Sequence, residues 1–212
     1  MRITKSHVVL ALIAGANLWA QTPPSAVAID NKLTTPQVRV FVATLPPHTP
    51  IPSPNGHATN RVLIYLDAGL MTRKEGSSAV QKMELHRADV RWRPASGAYV
   101  AENITDRPIR ILEIDLMGKP TVPAPVSKLD PAVVDAQHYK IEFENEYVRV
   151  LRIHYGPHEK GGLHEHILNR VVVYLNDQPN GKADDVRISG AATHMEENTS
   201  DQPADRIAVE LK

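Results

Sequence analysis

Three histidines carry most of the chemistry open to this chain. His164 and His166 stand two apart, so on an extended strand both imidazoles leave the same face. His194 follows in what reads as a later strand, and Glu196, two residues beyond it, faces the same way. If that face lines an interior, the four side chains meet in one cavity. Neutral imidazole binds Zn, Mn, Fe or Ni and leaves coordination positions open for water or substrate. His164, His166, His194 and Glu196 are therefore the candidate ligands of a divalent metal. His154 and His158 lie on a turn containing Gly and Pro and are expected beside the cluster or exposed. His48, His86 and His138 are expected at the surface. Other catalytic signatures are missing: there is no Cys, no Gly-x-Ser-x-Gly elbow and no phosphate-cradling Gly-Lys-Ser/Thr.

An internal repeat singles out these histidines. Asn60, Arg61, Val62, Leu63, Ile64, Tyr65 and Leu66 return as Asn169, Arg170, Val171, Val172, Val173, Tyr174 and Leu175. Glu102, Asn103, Asp106 and Pro108 return as Glu197, Asn198, Asp201 and Pro203, and Val38-Arg39-Val40 returns as Val148-Arg149-Val150. A period of about 110 residues exceeds the roughly 20–50 of a solenoid unit, so each copy is a domain or most of one. Only the second copy keeps three histidines. The first has Asn55, His57, Arg61 and Tyr99 at the corresponding places, and one imidazole does not hold a transition metal with useful affinity.

The elements that must position these groups read as strands. Among 212 residues there are 17 Pro and two Phe, with little 3.6-residue periodicity. Val38 to Val42, Val62 to Leu66, Val80 to Leu85, Val90 to Trp92 and Ile109 to Leu116 have β-branched density or apolar alternation. Pro46, Pro47, Pro50, Pro52 and Pro54 predict a loop over 46–56. The expected organisation is a signal at 1–20, a first domain at 27–117, a Pro-rich linker at 118–137 and a second domain at 138–212. Asn60 to Glu102 spans 42 residues and Asn169 to Glu197 spans 28, so a strand and a turn are expected to be missing from the second copy.

Bulk properties exclude several roles. Hydrophobic residues make up 42% and charged residues 23%, an ordinary globular composition. Lys plus Arg and Asp plus Glu number 24 each, so no long-range field recruits nucleic acid or an anionic membrane. Arg2 and Lys5 precede an apolar run, residues 8–16, too short to span a bilayer, and Ala20 offers a cleavage point. The expectation is a secreted or periplasmic protein, free of the membrane after cleavage and stabilised by burial without disulfides.

With these residues in place, the chain resembles the cupin superfamily. That family's first motif is a Gly, five residues, His-x-His, three or four residues and Glu, and its second is Pro-x-Gly, two residues, His, three residues and Asn. His164-Glu165-His166 fits the first and His194 with Asn198 fits the second. In the first copy, 94–103 fits the second motif with Ser96 in place of Gly and Tyr99 in place of His. The resemblance implies an all-β chain of two small jelly-roll barrels in tandem, the second shortened: a bicupin whose N-terminal domain is degenerate. It also implies that Arg170, and Arg61 in the first copy, occupy the place of the family's acidic ligand. A guanidinium there opposes a dication unless an anion or Glu196 compensates its charge.

Arg61 and Arg170 suit a bidentate carboxylate, and Tyr99 offers a hydrogen bond. The functional expectation is a secreted bicupin that binds a small organic molecule, anionic in character, with a divalent-metal cluster in the second barrel. The alternative is a metal-dependent oxygenase or isomerase acting on a small acid or sugar derivative. A homodimer through an edge strand is the third expectation. Asn103-Ile104-Thr105 and Asn198-Thr199-Ser200 resemble glycosylation acceptors, but their recurrence at the same turn points to turn chemistry.

Overall fold

The repeated sequence folds as repeated sheets. The computed structural model describes residues 26–120 and 126–212, so the expected signal at 1–20 lies outside the described residues. The first half contains β1 (Ala28–Thr34), β2 (Val38–Leu45), β3 (Pro50–Ser53), β4 (Arg61–Tyr65), β5 (Gly69–Glu75), β6 (Gln81–Leu85), β7 (Val90–Arg93), β8 (Tyr99–Asn103) and β9 (Ile109–Leu116). The second contains α1 (Pro131–Val134), β10 (Tyr139–Glu144), β11 (Val148–Tyr155), β12 (His164–His166), β13 (Arg170–Tyr174), β14 (Val186–Ser189), β15 (Ala192–His194) and β16 (Ala204–Leu211).

Each half has a five-stranded antiparallel sheet, in the order β1-β2-β9-β4-β7 and β10-β11-β16-β13-β14. Even the irregularities recur, with a register shift between Asn31 and Leu33 in one and between Ile141 and Phe143 in the other. The second sheet of the first half runs β3-β8-β5-β6, whereas its counterpart is only β12-β15. Among the described residues the second half has no counterpart of the β5–β6 hairpin, more than the strand and turn expected.

Period-2 alternation gives both faces of the large sheets apolar work. On β2, β4 and β9, Val38, Val40, Val62, Ile64, Leu112 and Ile114 pack against Val148, Val150, Val171, Val173, Ile207 and Val209 of the other half. The opposite faces point inward, Phe41, Leu63 and Ile111 in the first half and Leu151, Ile153 and Ala208 in the second. The halves therefore stand back to back on one shared core. Polar contacts rim it: Arg110 and Arg87 reach Asp184 at 2.8 and 2.7 Å, and Trp92 stacks on Tyr147 at 5.6 Å.

Two local expectations are corrected. The Pro-rich stretch expected as a loop contains β3, which pairs with β8 from Pro50 to Ser53. It is an edge strand, where a missing N–H costs no ladder bond. In the segment expected as a linker, 121–125 lie outside the described residues. Its end is docked: Leu129 accepts from the Glu165 N–H at 2.8 Å, and Asp130 caps α1 through the Ala132 N–H. His138, expected at the surface, is buried, because Asp135 accepts from its Nδ1 at 2.6 Å and Tyr155 stacks on its ring. His48 and His86 are exposed as expected.

Candidate metal centre

Strand pairing alone brings the three histidines to one face. His164 and His166 alternate onto the same side of β12, and the β12–β15 register sets His164 opposite His194. The His194 ring lies 4.5 Å from that of His164 and 5.5 Å from that of His166, centroid to centroid, and the two β12 rings are 5.1 Å apart. One nitrogen from each lies within 4.8 Å of the others, as a shared cation requires. His164 and His166 are buried and His194 is half-buried.

Hydrogen bonding orients the rings, and of the three Nε2 atoms that of His164 has the Tyr139 hydroxyl at 3.0 Å. His164 Nδ1 lies 2.9 Å from the Gly162 carbonyl, and His166 Nδ1 lies 3.0 Å from Glu210 Oε1. Both acceptors fix the proton on Nδ1 and turn the Nε2 lone pair toward the cluster, the arrangement usual around ligating histidines. His194 Nε2 is buried without a partner. A divalent ion is the partner these three nitrogens fit, so the chain contains a candidate histidine cluster for a divalent metal. Burial holds His166 below the ordinary histidine range against the pull of Glu210, and burial with the neighbouring imidazoles does the same for His194. Both are thereby kept in the neutral, ligating form.

Glu210 was not singled out from sequence. It sits on the inward face of β16, with Arg149 Nε donating to Oε2 at 2.7 Å while Oε1 serves His166. Burial raises its pKa, but the bonds from His166 and Arg149 outweigh this and keep it ionised. Arg39, Asp115 and His57 repeat the unit in the first half, with Arg39 Nη2 2.6 Å and His57 Nε2 3.4 Å from Asp115. The signal was present as an acid just before the repeated Leu116 and Leu211. His57 is the one imidazole of its group among the described residues, as expected, and it lies beside Glu113 and Asp115.

Glu196 reaches the cavity wall as strand alternation predicts, but Arg206 on β16 binds its Oε1 and the Tyr139 hydroxyl donates to its Oε2 at 3.1 Å. Its carboxyl is not within the mutual reach of the three imidazoles. Burial opposes its charge, yet Arg206 and Tyr139 hold the carboxyl below the usual range. Arg170 is buried on β13, with Nη1 donating to the Gly190 carbonyl at 2.6 Å, and its charge is felt by His166 and His194. A cavity of about 340 Å³ joins His166, His194, Arg170, Arg187, Glu196 and Arg206.

In the first half, Arg61 and Tyr99 come together, Nη2 donating to the phenol oxygen at 3.3 Å. His154 and His158 are exposed and paired with Asp205 and Asp201. Asn103 and Asn198 are buried, and their side-chain nitrogens donate to Arg107 and Gln202 carbonyls at 2.8 and 2.7 Å. They are turn-forming residues, as the repeat indicated.

No family model matches the sequence, and no curated protein matches it. Solved structures do. A cupin 2 conserved barrel domain protein from Leptotrichia buccalis is 11% identical with a TM-score of 0.56, over 92% of this chain and 99% of that one. AerE from Microcystis aeruginosa is 9% identical with a TM-score of 0.59, over 88% and 98%. Oxalate decarboxylase from Bacillus subtilis, described with its Mn(II) centres, is 11% identical with a TM-score of 0.57, over 87% and 75%. The likeness shows the fold alone: two similar antiparallel β-sheet domains, arranged as in these solved structures.

Proposed function

We propose that the chain is a metal-dependent enzyme acting on a small organic acid by oxygenation or isomerisation, each half being a double-stranded β-helix barrel and the second holding the active centre. One observation carries the reading: the cluster of three imidazoles, with His194 Nε2 unpartnered, stands at a cavity that His166 and His194 line together with Arg170, Arg187 and Arg206. A metal held by His164, His166 and His194 would supply a Lewis acid to polarise a bound oxygen. The ligand set is neutral, so an anionic substrate balances the dication's charge.

The surrounding residues bind and orient. Arg170 and Arg187 present guanidinium forks suited to a carboxylate. Glu196, locked to Arg206, is a fixed negative edge that directs an acid toward the arginines. Burial, with Glu196 close by, pushes the Tyr139 phenol up, so its single proton stays on and is shared between Glu196 Oε2 at 3.1 Å and His164 Nε2 at 3.0 Å. The missing hairpin leaves only two strands over the cluster, which favours substrate access. The oxalate decarboxylases of this fold act on a dicarboxylate, which makes oxalate the first acid to test. Export remains part of the proposal, and fractionation of cells expressing the full chain checks it.

The test is turnover of a panel of small mono- and dicarboxylates by metal-loaded protein. Oxygen uptake marks an oxygenase, and deuterium entering from solvent marks an isomerase. Arg170→Gln is expected to raise KM at least tenfold while metal content is retained. If no acid is turned over, or Arg170→Gln leaves KM unchanged, the enzymatic reading fails.

A further inference from the structure

A second cavity, in the first half and apart from the histidine cluster, has the makeup of a site for an amphipathic acid. It measures about 200 Å³. Phe41, Leu63, Met71 and Ile111 give it apolar walls, and Arg61, Arg73 and Arg93 stand around the same space. Guanidiniums keep their charge at any physiological pH. The one carboxyl lining the cavity among the described residues, Glu113, is pushed up by burial, and Arg61 reaches it only at 3.4 Å. Positive charge is therefore in excess.

The donors are also short of acceptors. Arg61 is only 4% exposed, yet its Nε has no hydrogen-bond partner, and neither has the buried Nε of Arg93. Arg73 is differently placed: Glu75 takes its Nε at 2.8 Å and its guanidinium lies 3.5 Å over the Tyr99 ring. A buried N–H without an acceptor is costly, and a carboxylate entering from solvent removes that cost at two arginines together.

We propose that this cavity binds an amphipathic monocarboxylate, with the carboxylate against Arg61 and Arg93 and the hydrocarbon part along Phe41, Leu63, Met71 and Ile111. An apolar cavity of about 150 Å³ takes benzene, so this one admits an aryl ring with a short acid arm. His57, Glu113 and Asp115 lie close enough together to suggest a cation instead. Arg39 and Arg61 face those two carboxylates, however, and a dication there meets both guanidiniums.

The test is calorimetry on the full chain after chelation and dialysis, so that metal in the second half does not contribute. The probes are 3-phenylpropanoate, the matching alcohol 3-phenylpropan-1-ol, and acetate. The aryl acid is expected to bind at least tenfold more tightly than the alcohol, and acetate too weakly to measure. Arg61→Gln and Arg93→Gln are each expected to weaken the acid about tenfold, with unchanged far-UV circular dichroism. Should Arg61→Gln fail to fold, the half-buried Arg93 decides the matter. Equal binding of acid and alcohol, no binding of the acid, or wild-type affinity in the folded arginine variants overturns the proposal.

Discussion

Glu210 is the residue on which the histidine cluster turns. By accepting from His166 Nδ1 while bound to Arg149, it sets both the tautomer and the ring orientation. Glu210→Gln keeps the shape but weakens the acceptor, and metal affinity is expected to fall roughly 10- to 100-fold, measured by competition with a chromophoric chelator. The same histidines set a pH dependence. His166 and His194 are held below their ordinary value in the fold, so over the intervening range the unfolded chain binds more protons than the folded one. Stability of the metal-free protein should therefore be level above about pH 6.5 and decline as pH falls below it. Urea midpoints at several pH values check this, and a midpoint that rises on acidification through that range contradicts it. The three histidines were legible because two obey strand spacing and all three fit motif positions. Their buttress was hidden because an acid among apolar strand residues takes its meaning from a partner 44 positions away.

At the scale of elements, alternation was the readable signal. β2, β4 and β9 were plain in the sequence because both of their faces are apolar, one toward the cavity and one toward the other half. β3 was not: it is four residues long and carries two Pro, so local preference is weak and the partner strand decides. β16 has the clearest energetic role, since Ile207, Val209 and Leu211 enter the shared core while Arg206 lines the cavity and Glu210 holds His166. Ile207→Ala is expected to cost about 2–5 kcal/mol in chemical denaturation, as for other buried large-to-small changes. A loss under 1 kcal/mol would show that the back-to-back packing contributes little.

For the molecule as a whole, the repeat foretold two similar units but not how they meet. The residues that join them, such as Val40, Ile64, Val150 and Val171, are β-branched or aliphatic and read equally well as the inside of either half. What differs between the halves is the inventory around each cavity. Both hold three arginines, but one has mainly apolar walls, whereas the other adjoins the histidine cluster beneath a reduced sheet. The account stands on the second. Its most direct test is metal content by plasma mass spectrometry after equilibrium dialysis against Zn²⁺ and Mn²⁺, on wild type and on His194→Ala, whose half-buried side chain permits the change. The wild type is expected to retain a single ion per chain and His194→Ala to lose it while its circular dichroism is unchanged. Retention of the ion by His194→Ala at wild-type affinity, or a wild type that retains none, would contradict the account.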